Sequence, residues 1–232
     1  MPRPLVIAHR GASAEAPENT LAAFDRALAL GVDGIELDVR LTRDGVPVVH
    51  HDATLSRLAG RRARIDRLTQ AELQAARGRG EPIPSLEEVL RHTRGRAIVQ
   101  IEIKEGVPVA PVVRAVVEAR AAGAVILASF DAALVEAARR HAPRLPRMLI
   151  SPGGTAAGLI AAAAALDAAG VSLDHRAIRS PALVEALQAA RRRVWCWTVN
   201  DATAMLRLAS WGVDAILSDN PALLRTTLDS SG

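Results

Sequence analysis

At 232 residues, half of them apolar and with a formal net charge of +4, the chain is long enough to bury one sizeable core. Its composition excludes a disordered chain, a collagenous array and a helical membrane span, since no window approaches the ~18 consecutive apolar residues that a span requires. All but one of the 29 cations are arginine, clustered only at 61–64 and 191–193, and with 2% aromatic residues and no tyrosine they lack the stacking platforms of a nucleic-acid binder.

The first four residues lead into an apolar run at 5–8, about half the length of a signal-peptide core, so a cytoplasmic protein is expected. The single cysteine, Cys196, permits no internal disulfide and agrees with that expectation. Short β-like runs then alternate with helical stretches to the end of the chain. Strands are predicted at 5–9, 34–40, 97–103, 124–129, 147–150, 171–173, 193–198 and 215–218. Eight strands separated mostly by helical stretches predict an α/β fold, a (β/α)8 TIM barrel filling 1–232 as one domain.

Pro17 and Glu18 suit the first turn of the first helix. Leu21, Phe24 and Leu28 share a face, and Gly31 ends it. Only Thr42-Arg43-Asp44-Gly45 separates the second strand from an apolar run at 46–50, too few residues for a parallel crossover. Asp-Gly there signals a hairpin, so 39–51 is predicted to be antiparallel, with His51 at about the level of Asp38. Residues 53–96 then form a small insertion with one or two short helices. Pro84 and Ser85 with Glu88 resemble a capped helix start, and Pro181 and Pro221 stand where helices begin. The alanine-rich stretch 156–169 reads as an ordinary helix.

In a barrel of this kind, strand C-termini face the catalytic mouth. His9-Arg10-Gly11 follows the first strand and suits an anion-handling turn. Glu36 and Asp38, two apart on the second strand, point the same way while Ile35, Leu37 and Val39 point the other way. Glu102 and Lys104 repeat that spacing on a neighbouring strand. Inward carboxylates are costly unless paired or metal-bound, and one lysine cannot neutralise three of them. The alternative to a salt-bridge layer is therefore one divalent cation, and all-oxygen ligands favour Mg2+ or Ca2+ over zinc. Three carboxylates, a divalent cation, Arg10, Lys104 and a singly charged phosphodiester sum to zero. His51, beside Asp52, brings a second imidazole to the same rim, so His9 and His51 can divide general base and general acid duties. His50 alternates to the other face and is structural or solvent-facing. His92, His141 and His175 have no evident partners. Lys104 is the only lysine, and Asn19, Asn200 and Asn220 are the only asparagines, each in or near a segment singled out on other grounds.

These residues resemble the glycerophosphodiester phosphodiesterase family along nearly the whole chain. The similarity runs through His9-Arg10-Gly11, Ala16-Pro17-Glu18-Asn19-Thr20, Glu36-Leu37-Asp38, His51-Asp52 and Ile101-Glu102-Ile103-Lys104. It continues through Ser129-Phe130, Trp197-Thr198-Val199-Asn200 and Ser218-Asp219. The resemblance implies a barrel hydrolase that releases glycerol 3-phosphate and an alcohol from small glycerophosphodiesters, without stable membrane association. It implies His9 and His51 as catalytic, Glu36, Asp38 and Glu102 as metal ligands, Arg10 and Lys104 as phosphate contacts, and Trp197 at the glycerol pocket. Arg57-Leu58-Ala59-Gly60 departs from the family's usual run after the second histidine, which bears on headgroup choice. The rivals are a lysophospholipase D-like enzyme on the same fold and a non-catalytic phosphodiester-binding protein. Nothing in the sequence sets the oligomeric state.

Overall fold

Alternating apolar residues build a barrel with two separate cores. In the computed structural model, residues 3–60, 62–76 and 81–230 are described. The chain runs β1 (Leu5–His9), α1 (Leu21–Ala29), β2 (Gly34–Leu41), β3 (Pro47–Val49), α2 (Ser56–Ala59), α3 (Gln70–Ala76), α4 (Leu86–Thr93) and β4 (Ile98–Ile103). It continues through α5 (Val109–Glu118), β5 (Val125–Ser129), α6 (Ala132–His141), β6 (Arg147–Ser151), α7 (Ala156–Ala165) and β7 (Gly170–Asp174). The last elements are α8 (Pro181–Ala189), β8 (Arg193–Trp197), α9 (Ala202–Ser210), β9 (Ala215–Ser218) and α10 (Pro221–Asp229).

Eight of these strands are parallel and close on themselves, because β1 pairs with both β2 and β9. This is the expected (β/α)8 barrel. Residues of one parity face inward: Ile7, Met148, Ile150, Trp195, Ala215 and Leu217 fill the barrel. Residues of the other parity, among them Ile35, Leu37, Val39, Val99 and Ile101, meet Phe24, Val89, Val112 and Val116 of the surrounding helices. Each fully buried aliphatic side chain of this kind contributes roughly 1.5–3 kcal/mol. That gain fixes the register, since a one-residue slip would turn every inward group outward.

β3 is the expected hairpin strand. It runs antiparallel to β2, pairing Val39 with Val49 and Leu41 with Pro47. Gly45, at φ +79°, supplies the left-handed position of the turn. The backbone group level with Asp38 belongs to His50, whose N–H donates to the Asp38 carbonyl at 2.9 Å. His51 lies one residue further on. His50 is buried rather than solvent-facing, with Nε2 3.4 Å from the Thr54 carbonyl oxygen.

The insertion holds α2, α3 and α4, more helices than expected. Leu55, Ile65, Leu73 and Ile83 pack with Val48 in a satellite core, so each segment buries too few residues to show a helical periodicity in sequence. Arg61 of the basic cluster and 77–80 of the insertion lie outside the described residues. Ser85 and Glu88 do form a reciprocal capping box at α4, and Pro181 and Pro221 do open α8 and α10.

The first helix starts later than expected. Thr20, not a residue near Pro17, is its N-cap, with Oγ1 accepting from the Ala23 N–H at 3.2 Å. Asn19 sits at φ +60°, a left-handed conformation that cannot belong to a helix. Pro17 and Glu18 therefore stay in the loop above the barrel, where Glu18 has other partners.

Candidate active site

Each element of the site hangs from a strand C-terminus. At the end of β1, Arg10 adopts φ +58° and Gly11 φ +83°. A Cβ on Gly11 would lie 2.7 Å from the Ala23 backbone carbonyl carbon, so only glycine fits against α1 there. This sharp turn aims the Arg10 N–H at Glu36 Oε2, 3.2 Å away, and turns its side chain back over the barrel.

β2 and β4 bring the acids together. Their register sets Asp38 beside Glu102 and Glu36 beside Gln100. One oxygen each from Glu36, Asp38 and Glu102 lie within 4.8 Å of one another, and all three residues are buried. The expected facing of these carboxylates is what the structure has. Lys104 Nζ sits 2.7 Å from Asp38 Oδ1 and also contacts Glu102, and Arg10 Nε lies 3.2 Å from Asp38 Oδ2. Asn19 donates through Nδ2 to Asp38 Oδ2 at 2.8 Å, while its Oδ1 accepts from the Asp38 N–H at 3.3 Å.

Charge is unevenly shared in this cluster. Burial, then the neighbouring Asp38 carboxylate, pushes the Glu36 carboxyl up to about 8. Burial also opposes ionisation of Asp38, but Lys104 and Arg10 overcome it and hold that group down at about 2. Two cations thus secure one carboxylate firmly and leave Glu36 short of positive charge. Three converging oxygens with a surplus of negative charge fit a hard divalent ion, and Glu36, Asp38 and Glu102 are the residues that could hold one.

The two histidines are each backed by a carboxylate. His9 Nδ1 lies 2.7 Å from Asp219 Oδ1, and its Nε2 points towards Glu36, 3.8 Å from Oε2. Burial lowers the His9 pKa, yet the Asp219 hydrogen bond and Glu36 outweigh it and leave the imidazole above its usual value. His51 Nδ1 lies 2.7 Å from Asp52 Oδ1. Arg57 donates to Asp52 through Nε at 2.6 Å and to both oxygens of Glu18 through its terminal nitrogens. Glu18 in turn accepts from Arg10 at 3.1 Å. A continuous ion-pair chain therefore joins the loop after β1 to the loop after β3.

His9, Arg10, Glu36, His51, Glu102, Lys104 and Trp197 line one cavity of about 150 Å3 at the barrel mouth. Asp38 stands beneath it, bonded to Lys104. All eight sequence-derived site residues are thereby brought together. Trp197 donates its indole N–H to the Ser172 carbonyl at 3.1 Å and meets Phe130 edge-on, ring centroids 5.6 Å apart. No role in bracing the histidines is legible in the sequence for Asp219, Asp52, Glu18 or Arg57. Asp219 and Asp52 follow the ends of β9 and β3, a position many surface acids share, whereas Glu18 lies in the long loop before α1 and Arg57 in α2. The asparagines gave a better hint: Asn19 braces Asp38 and Asn200 donates to Asp219 Oδ2 at 2.7 Å, whereas Asn220 caps α10. His92 and His175 do have partners, Asp25 Oδ1 at 2.7 Å and the Trp197 carbonyl oxygen at 3.3 Å.

Paired imidazoles above clustered carboxylates stand at the strand C-termini of a parallel barrel, the end at which barrels of this kind carry their active sites. Residues 9–223 match the model of the glycerophosphoryl diester phosphodiesterase family. The chain is 34% identical to a glycerophosphodiester phosphodiesterase of Caldanaerobacter subterraneus, over 98% of this chain and 99% of that protein. It superposes on the crystal structure of a putative glycerophosphoryl diester phosphodiesterase from Silicibacter pomeroyi with a TM-score of 0.91 at 29% identity, covering 100% and 95% of the two chains. It is also similar to an Oleispira antarctica phosphodiesterase solved with the product sn-glycerol-3-phosphate, TM-score 0.88 at 29% identity, covering 98% and 97%. The chain belongs to the glycerophosphoryl diester phosphodiesterase family.

Proposed function

We propose that this enzyme hydrolyses small glycerophosphodiesters to glycerol 3-phosphate and an alcohol, using His9 and His51 as its acid–base pair and one divalent cation. The observation that carries this reading is the cavity at the mouth. Two imidazoles, each held through Nδ1 by its own carboxylate, face the same space as Glu36, Glu102 and two cations, with Asp38 completing the acidic cluster beneath.

Asp219 fixes the orientation of His9, and Asp52 that of His51, so each ring turns its Nε2 nitrogen away from the brace. One imidazole takes the proton of the attacking oxygen, and the other gives a proton to the departing alcohol. The attacker is water or the glycerol hydroxyl next to the phosphate. Arg10 and Lys104 face the non-bridging oxygens and offset the charge that grows on them. Bound by Glu36, Asp38 and Glu102, Mg2+ or Ca2+ would supply Lewis-acid stabilisation of that charge. Lys104 already touches Asp38 and Glu102, so it and the cation would share those carboxylates.

A polar substrate suits the mouth better than an acylated one. Among the described residues, the exposed large apolar side chains are Val117, Phe130, Leu206 and Leu223, and of these Phe130 alone lines the cavity. Among the described residues, no helix is long and apolar enough to cross a membrane. The test is release of glycerol 3-phosphate from glycerophosphocholine after EDTA treatment, with Mg2+, Ca2+ or Mn2+ added back. Full metal-dependent activity in a His9→Ala, His51→Ala double variant would end the assignment, and preference for a lysophospholipid would favour the lysophospholipase D-like rival.

A further inference from the structure

A second cavity lies directly beside the mouth. It has a volume of about 470 Å3 and shares Glu102, Lys104 and Phe130 with the mouth cavity. Arg40, Glu105 and Asp131 stand on its other walls. Arg40 is two residues beyond Asp38 on β2, and so on the same face of that strand. Its side chain is half-buried, and its Nε donates to the His51 carbonyl at 3.0 Å, which ties the base of the guanidinium to the loop that carries the second imidazole. Among the described residues, no carboxylate forms an ion pair with Arg40, and its two terminal nitrogens have no hydrogen-bond acceptor.

This arginine is a charge without a counterion. The acids nearest to it are engaged by other cations: Asp38 by Lys104 and Arg10, Glu102 by Lys104, and Asp52 by Arg57. Glu105 and Asp131 share the cavity with Arg40 without pairing with it, and Asp131 Oδ1 accepts from the Ala133 N–H at the start of α6. A hydroxyl could accept from Arg40, but only an anion offsets its charge. A guanidinium offers its nitrogens as a planar fork that matches a carboxylate, and such a pair is about twice as strong as a neutral hydrogen bond. The cavity thus offers one unmet positive charge, partly shielded from solvent, and two acids without a cation.

We infer that Arg40 selects the leaving alcohol, favouring one that carries a carboxylate beside an ammonium, as serine does. The inference rests on the glycerophosphodiester reading and adds a headgroup preference to it. With the phosphate met by Arg10 and Lys104 in the mouth, a substituent that reaches past Lys104 and Phe130 enters the second cavity. Its carboxylate meets the fork of Arg40, and its ammonium faces Glu105 and Asp131. Ethanolamine and choline bring only a cation, which Arg40 repels. A phosphorylated alcohol satisfies Arg40 but sets further negative charge against the two acids.

The test measures kcat/KM for glycerophosphoserine, glycerophosphoethanolamine and glycerophosphocholine, each followed by release of glycerol 3-phosphate. The parent enzyme should favour glycerophosphoserine over the other two by about ten-fold, mainly through KM, as one charge-assisted pair would give. Arg40→Gln should erase that preference and Arg40→Glu should reverse it. Loss of the bond to the His51 carbonyl would slow all three substrates together, so the ratio between them reads the selection and the absolute rate does not. Added salt should narrow the preference, because the pair is open to solvent on one side. Equal kcat/KM values in the parent, or the parent's ratio persisting in Arg40→Gln, would overturn the assignment. Melting curves check that the variants are folded. Inhibition of the parent needs no variant: phosphoserine should inhibit at lower concentration than phosphoethanolamine, and the opposite order would also overturn it. Release of glycerol 3-phosphate from none of the three diesters would instead refute the functional reading itself.

Discussion

Asp219, at the end of β9, holds the imidazole of His9, at the end of β1, through a 2.7 Å contact between Oδ1 and Nδ1. Asn200 and Ser13 bond to the same carboxylate, and Ser218 donates to Asn200 Oδ1 at 2.9 Å, so the brace is itself braced. Burial disfavours the Asp219 anion, but the bond to His9 outweighs it and keeps the group ionised down to about 2.

Asp219→Asn should therefore lower kcat by about 10- to 100-fold, the range typical of an orienting carboxylate behind a histidine. Asp219 raises the His9 pKa, so the variant should also move the His9 titration to lower pH, which NMR of the ring protons would follow. An unchanged His9 titration would remove Asp219 from the orienting role.

Metal affinity should rise with pH up to about 8. Below that value Glu36 carries a proton that a bound cation must displace, so affinity changes by at most about ten-fold per pH unit. Calorimetric titration with Mg2+ and Ca2+ at pH 6, 7 and 8 measures it, and Glu36→Gln should flatten the dependence. The same proton has a consequence for stability. With its folded pKa raised, Glu36 binds more protons in the native than in the unfolded state between its ordinary 4.5 and about 8, so metal-free stability falls as pH rises through that window. His9, also raised, acts in the same sense. Melting in EDTA should therefore occur at lower temperature at pH 8 than at pH 5.5.

Asn19 combines two stabilising devices, the two hydrogen bonds to Asp38 and a left-handed backbone. Asn19→Ala should cost about 2–3 kcal/mol in urea unfolding, from a buried carboxylate losing a donor and from alanine held at positive φ. Asn19→Gly should recover the backbone part, about 1 kcal/mol, and not the rest.

Arg57 is half-exposed, so its ion pairs contribute little to stability, ~1 kcal/mol at most. Its position is another matter, since among the described residues it ties Asp52 to Glu18. Arg57→Ala should change the melting temperature slightly while lowering kcat several-fold, because Asp52 loses the contact that holds it behind His51. Equal kcat in the variant and the parent would show that Asp52 needs no such support.

Sequence alone determined the architecture and most of the groups that meet at the barrel mouth. Period-two alternation of buried residues is local, so Glu36, Asp38, Glu102 and Lys104 could be read as inward-facing from spacing on their own strands. The Asp-Gly turn likewise announced the β2–β3 hairpin, and the proline and Ser-x-x-Glu signals placed three helix starts. Tertiary structure alone decided what those groups rest on. Asp219 reaches His9 across 210 residues and Arg57 reaches Glu18 across 39, contacts that no local pattern encodes. The start of α1 belongs to the same class: Pro17-Glu18 has the local chemistry of a first turn, but the demand of Asp38 for Asn19 draws the loop over the barrel and delays the helix to Leu21. Backbone periodicity comes from covalent geometry and is written residue by residue, whereas the pairing of charges depends on where barrel closure sets the ends of β1, β2 and β9.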